Sequence, residues 1–540
     1  MAKRSLLLLV AILTLASSAR ADASWWNYPP DNDRVRLTST NLPIVWIDVN
    51  GEIIDRDERI TARMKIIHNG DGQLNYADTV AHPGQRIDYE GYVALRYRGS
   101  SSFSMSDKKP YSFRPLDKPL EDGGEKQKVK ILGMGKDNNW ALLAPYADKS
   151  MIRDLLAFEV SRPWMEYTPQ GRLCEMILDG TYYGVYVLTE VVSKGKHRVN
   201  LPDPGSEGDE LTGGYIMEVN RTDNEVTHVS KYHPVNNSGI QIMNKVINFQ
   251  YKSPDYEDMT AEQVKYIKRR IDQMENLLWN YRPTGSTNFQ EYIDMENFVD
   301  YQIAMELGHN VDGYRLSGKF FKRRDSVDAR FKMVVWDMNL AYGNADYYMA
   351  WRTDTWTYQN NNVMNSQGEA QLIPFWWYKL NTCPEYTAAL KKRWAQYRRA
   401  NLREDRIMAT VDSLAAVLTV NGAEQRNSRA WPRWGEYVWP NYYIASNYAD
   451  EVAYLKQWLG ERIAWMDQQL GFDPNAYLRG DVDGDGEITI ADVTAIIDIL
   501  LAGDTSGVDM NCADCDVDGS LSIADVTALI DYLLTGSWDE

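Results

Sequence analysis

The sequence predicts an α+β body followed by a small all-helical tail. Three observations carry that reading. Short apolar runs separated by turn residues fill the first two hundred positions. Apolar stripes at helical spacing dominate the later part of the body. The charge is also very uneven: the 540-residue chain has a formal charge of −18, yet residues 480–540 hold fifteen acids and no Lys or Arg. A single core saturates near ~250–300 residues, so a chain of this length needs more than one unit. Its 44% hydrophobic and 12% aromatic content excludes a disordered chain. Its net acidity is a poor match to a nucleic-acid surface.

At the N-terminus, Lys3 and Arg4 precede an apolar run from Leu6 to Leu15, and Ala19-Arg20-Ala21 closes it. This pattern predicts a secretory signal over 1–21, cleaved after Ala21. The run is too short for a membrane span, which needs ~20 residues, and no later segment is long enough either. The expected mature protein is therefore secreted, to the exterior, the cell surface or the periplasm, and has no membrane span.

In the body, Ile44-Val45-Trp46-Ile47, Tyr92-Val93-Ala94-Leu95 and Gly184-Val185-Tyr186-Val187-Leu188 read as strands. A helix is expected near Ser150, with Ile152, Leu155, Leu156 and Val160 on one face. Thr260-Ala261-Glu262-Gln263 is a capping box opening a helix through Val264, Ile267, Ile271, Met274 and Leu278. Residues 331–343 return to strand and turn. Residues 384–470 are mostly helical, ending with the stripe Val452, Leu455, Leu459, Ile463 and Met466 before Gly471-Phe472-Asp473-Pro474. The body is thus 22–472, with a linker over 473–479 and the tail over 480–540. Cys174 and Cys383 are isolated, while Cys512 and Cys515 form a C-x-x-C for which a local disulfide is expected in an oxidising compartment.

The tail contains the same loop twice, 33 residues apart. A twelve-residue calcium loop places oxygens at positions 1, 3, 5, 7, 9 and 12, with Gly at 6 for the turn. The first loop offers Asp481, Asp483, Asp485, Glu487 through its carbonyl, Thr489 and Asp492, with Gly486 at the turn. The second offers Asp514, Asp516, Asp518, Ser520, Ser522 and Asp525, with Gly519. Two Ca2+ sites are expected, each followed by a short helix, Val493–Leu501 and Val526–Leu534. Both loops end in Asp, and no clear helix enters either. That combination resembles the type I dockerin module over about 480–536. The resemblance implies docking onto a cohesin-type protein; a calcium-stabilised terminal module without such a partner is the other reading.

Four stretches of the body stand out as motifs: Leu95-Arg96-Tyr97-Arg98-Gly99-Ser100-Ser101-Ser102 with Lys108-Lys109-Pro110-Tyr111; Asn139-Trp140-Ala141-Leu142-Leu143-Ala144-Pro145-Tyr146 running into Asp148-Lys149-Ser150-Met151-Ile152-Arg153; Asp179-Gly180-Thr181-Tyr182-Tyr183-Gly184-Val185-Tyr186 ending Leu188-Thr189-Glu190; and Asn310-Val311-Asp312-Gly313-Tyr314 with Val335-Trp336-Asp337-Met338-Asn339. In this order they resemble the CotH kinase family, known from spore-coat and secreted bacterial proteins. They span about 40–345 and leave 346–472 as a helical remainder. The resemblance implies an atypical kinase-like fold phosphorylating Ser or Thr from ATP and Mg2+. It implies Asp312 as the catalytic carboxylate, with Asp337 and Asn339 toward magnesium. Arg98, Lys109 and Arg153 are candidate phosphate cations, Tyr146 and Trp336 candidate adenine contacts, and Glu190 a candidate partner for a lysine. Such a set suits phosphoryl transfer, which is mostly positioning and charge neutralisation. Each residue also has a plainer reading: Asp312-Gly313 as a turn, the aromatics as core, the arginines as counter-ions of buried carboxylates.

Asn339 stands where the family has a carboxylate, and Ser317 where it often has Asn. No Walker loop, H-R-D or D-F-G is present, so an ordinary kinase is not expected. Two function classes stay open: an exported ATP-dependent kinase with a docking tail, and a non-catalytic surface or cellulosome-type component binding protein or glycan. A polysaccharide-degrading enzyme is a weaker third, since no paired-carboxylate pattern is evident. The role of the 221–300 segment is open at this point.

Overall fold

The computed structural model describes residues 35–540 apart from 223–224, 283–287, 475–476, 485, 506–507 and 539–540. The expected signal over 1–21 lies outside the described residues, as do part of the 473–479 linker and the candidate calcium ligand Asp485.

Seven strands close into a barrel: β1 (Ile44–Asp48), β2 (Ile60–Ile67), β3 (Ile87–Tyr97), β4 (Tyr111–Leu116), β5 (Trp140–Leu143), β6 (Gly171–Leu178) and β7 (Thr181–Glu190). Around it the order is β6-β7-β5-β4-β3-β2-β1, and β1 meets β6 in parallel register, Glu175 opposite Ile44. All other pairings are antiparallel. Alternate residues fill the interior, among them Val45, Ile47, Met64, Val93, Phe113, Trp140 and Leu188, as the two-residue period of a strand requires. β1 reads as an unbroken apolar run because its other face is also covered: Ile44 and Trp46 pack with Ile177, Tyr182 and Ala430. This barrel confirms the strand expectations at 44–47, 92–95 and 184–188.

Helix α1 (Arg153–Ser161) follows β5 and places Leu155, Leu156, Phe158 and Val160 in the main core. A five-stranded antiparallel sheet comes next, with β8 (Tyr215–Val219), β9 (Thr227–Val229), β10 (Asn248–Ser253), β11 (Gly318–Lys322) and β12 (Phe331–Val334) in the order β9-β10-β8-β11-β12. α2 (Ala261–Asn280) has the capping box read from sequence: Thr260 accepts from Gln263 N, and Gln263 answers to the Thr260 N–H. α3 (Met295–Gly308) is buried on nearly all sides and is capped by Asp294. α4 (Pro384–Arg399), α5 (Glu404–Thr419), α6 (Ala423–Ala430) and α7 (Tyr448–Leu470) complete the body, and Gly471 ends α7 at φ 72°.

Buried ion pairs tie these layers together. Arg153, fully buried, bonds Asp148 at 2.6 Å and Glu451 of α7 at 2.8 Å. Arg462 of α7 bonds Glu306 of α3 at 3.1 Å. Removing one partner of such a pair strands a charge and costs about 3–5 kcal/mol.

In the tail, α8 (Ile490–Ala502) and α9 (Ile523–Thr535) pack over Val493, Ile496, Cys515, Val526 and Leu529. Both helices start three residues before the positions expected from sequence. Thr489 and Ser522 act as N-caps, and Asp492 and Asp525 close capping boxes with them. A single helical turn, Met510–Ala513, enters the second loop. The expected Cys512–Cys515 disulfide is not formed; all four cysteines are free thiols. Cys515 is instead turned into the tail core, where burial pushes its thiol up to about 12.

Candidate functional site

The loop from His309 to Ser317 joins α3 to β11, and the segment after β12 runs alongside it. Asn310 links the two segments. Its Oδ1 accepts from Asp312 N at 3.2 Å, and its Nδ2 donates to the Asp337 carbonyl at 3.0 Å. Ser317 Oγ donates to Asp337 Oδ2 at 2.8 Å. Ser317 and Asp337 both adopt left-handed backbone, at φ 55° and φ 61°; non-glycine residues hold such strain chiefly where surrounding contacts impose it. Gly313 has a steric reason of its own, since a Cβ there would collide with Met305 of α3. The Asp-Gly step is thus a fitted contact with the helix as well as a turn.

Asp312 and Asp337, 25 positions apart in sequence, lie within range of each other's charge. Burial raises the Asp337 carboxyl above its ordinary range, and the Asp312 charge adds to that. The Ser317 hydroxyl and the Arg98 guanidinium work in the opposite direction. Asp312 Oδ1 is held at 2.6 Å by Arg315, which also pairs with Glu369 at 2.9 Å. Arg98 follows β3 and lies 5.4 Å from the Trp336 ring, where its charge acts on Asp337, Asp154 and Glu218. Its Nη1 is buried without a hydrogen-bond acceptor, a costly state unless an anion is meant to meet it.

The structure adds residues that sequence reasoning missed. Asp154, in the first turn of α1, accepts from Met338 N at 2.7 Å. Burial, with the charge of Asp337, pushes its carboxyl up to about 7. Glu218 on β8 bonds Lys319 of β11 at 2.7 Å, with Lys252 of β10 at 3.5 Å. Burial alone would raise the Glu218 carboxyl; the two lysines outweigh it and hold it low. Asp154 directly follows the Arg153 motif, so its place in that run was a usable signal. The Glu218–Lys319 pair gave none, because it forms only when β8 and β11 align.

The other candidates already have partners within the protein. Lys109 Nζ donates to the Phe103 carbonyl at 2.6 Å and pins its own loop. Tyr146 bonds Asp107 at 3.1 Å and carries the Arg433 guanidinium 4.7 Å over its ring. Arg153 is committed to Asp148 and Glu451. Glu190 pairs with an arginine, not the expected lysine: Arg198 stands 2.6 Å away, and Tyr167 donates at 3.2 Å. Trp336 is 6% exposed and packs on Phe158 and Arg98, leaving little ring for a ligand. The Asn339 main-chain carbonyl accepts from Asn344 Nδ2 at 2.7 Å.

In the tail, carboxylate oxygens of Asp481, Asp483 and Asp492 converge within 4.8 Å of one another, and so do those of Asp514, Asp516 and Asp525. The position-one carboxylates accept from the position-six glycines, Gly486 N at 3.1 Å and Gly519 N at 2.8 Å. The position-twelve carboxylates are fully buried and fixed by backbone N–H groups on both sides of each loop. Three convergent carboxylates repel one another unless a cation sits among them. Their hard oxygen donors fit calcium. Thr489 and Ser522 spend their hydroxyls as helix caps. Asp518 accepts from Ser520 Oγ at 2.7 Å, outside the cluster. Glu487 turns its carboxylate to Lys392 and Gln396 of α4, at 2.9 and 2.6 Å.

None of the described helices is long and apolar enough to cross a membrane. No curated protein gives a significant match to the chain. Residues 479–534 match the dockerin type I domain, a module that binds calcium and docks onto cohesins. Residues 95–466 match the family described as CotH kinase protein, a span that includes Arg98, Asp154, Asp312 and Asp337. This chain is therefore a member of the CotH kinase proteins and carries a type I dockerin domain at its C-terminal end.

Proposed function

We propose that the protein is an exported, ATP- and magnesium-dependent protein kinase of Ser or Thr that is carried to a cohesin-bearing assembly by its calcium-loaded tail. The observation that carries the reading is the Asn310 bridge, which joins the Asp312 loop to the Asp337 segment. The unsatisfied Nη1 of Arg98, close to Asp337, supports it. Bound ATP and magnesium would supply the transferable phosphoryl group and the cation that offsets its charge. Asp337 and Asn339 would hold the metal, and Arg98 the phosphates.

Asp312 is the group that takes the proton from the acceptor hydroxyl. Arg315 fixes one of its oxygens and leaves Oδ2 outside that pair. Ser317 orients Asp337 and lowers the cost of keeping it ionised against burial. Export rests on the segment before Ala21, and docking rests on the tail.

Radiolabelled ATP with purified protein, magnesium and a mixture of Ser/Thr peptides tests the chemistry. Label transfer abolished by Asp312→Ala, with the fold intact by circular dichroism, is the expected result. No nucleotide binding at millimolar ATP would end the kinase reading.

A further inference from the structure

A groove of about 940 Å³ runs along the outer face of α2, from the turn at Tyr256–Met259 to Lys231 and Tyr232, and its lining includes neither Asp312 nor Asp337. The inner face of α2 is occupied, with Ile267, Ile271, Met274 and Leu278 in the main core. Along the groove, Lys265, Lys268 and Arg269 are exposed. Lys231, 71% exposed in its side chain, adds a fourth cation. Two acids face them. Asp272 is already engaged by Lys231 at 2.5 Å and His228 at 3.0 Å, which leaves Glu257. The groove therefore keeps a positive surplus on a chain whose net charge is −18.

We propose that this groove is a docking site for an extended acidic polypeptide. The cations supply the charge complementarity, which governs register and on-rate in such contacts. Between them, Met259 and Val264 offer an aliphatic floor suited to a peptide's apolar side chains. Tyr232 packs against Trp279 and Phe375, whereas Tyr256 touches Tyr251 and is 37% exposed; an acidic glycan is the competing occupant, which displacement by galacturonate separates. The site is independent of phosphoryl transfer, since the groove does not include the Asp312 loop.

Fluorescence anisotropy on the full chain tests it, with a labelled decapeptide of alternating Glu and Leu at 50 mM salt. Binding is expected to weaken at least tenfold in the triple variant Lys265→Glu/Lys268→Glu/Arg269→Glu. It should be unchanged in Lys118→Glu/Lys128→Glu, a reversal of two exposed lysines elsewhere. Matching thermal melts establish that the triple variant is folded. Raising salt to 500 mM should weaken the parent complex strongly. The proposal falls if the peptide does not bind, if both variants lose it equally, or if a decamer of galacturonate displaces it at equal concentration.

Discussion

Replacing Asp492 by Ala should unfold the tail in calcium and in EDTA alike, whereas Asp483→Asn should weaken only the calcium-loaded form. The two residues sit in the same carboxylate cluster but do different work. Asp492 is fully buried and accepts from Val482 N at 2.7 Å, Asp483 N at 3.1 Å and Thr489 N at 2.7 Å. A hydrogen bond to a charged group contributes about 1.5–3 kcal/mol, and part of the loss is recovered by water in an opened loop, so the change should cost about 3–5 kcal/mol. A module this small holds little more than that in total. Asp483 is exposed, and its amide replacement keeps shape while removing one negative charge from the ion's surroundings. Its effect should appear as a lost share of the stabilisation that bound calcium confers, which is about 4 kcal/mol at a thousandfold excess over Kd. Urea titrations followed by near-ultraviolet dichroism, with saturating calcium and with EDTA, separate the cases. The reasoning fails if the parent tail has no cooperative transition in EDTA, or if Asp492→Ala leaves the EDTA midpoint where it was.

Further expectations concern the body and its contact with the tail. Glu275, fully buried against Ser230 and Trp376, is pushed by burial up to about 8. Its unfolded value is near ~4.3, so stability should fall as pH rises from about 4.5 to 8, by at most about 5 kcal/mol; Glu275→Gln should flatten that slope in urea midpoints read at several pH values. Arg98→Ala should weaken nucleotide affinity at least tenfold by calorimetry, with Arg98→Lys intermediate, and equal affinities would remove Arg98 from the phosphate role. Glu487→Lys should set the tail loose from α4, since it replaces an ion pair with a repulsion at Lys392. Faster proteolysis between 470 and 480 in saturating calcium is the expected readout.

The sequence alone determined what depends on local pattern. Loop spacing and glycine placement specify the calcium cradle, because a twelve-residue loop carries its own ligands. Strand alternation and the Thr260–Gln263 capping box are likewise local, as are the helical stripes. The paired aspartates were legible only as motifs: nothing in 25 residues of separation says that Asn310 will bridge their backbones. Tertiary structure alone decided which charged groups meet. Arg153 is drawn to Asp148 and Glu451, Glu190 to Arg198, and Glu218 to Lys319, pairings set by strand register and helix packing across long stretches of chain. A buried charge must find its partner in three dimensions, and the cost of leaving it alone, not its place in a motif, selects that partner.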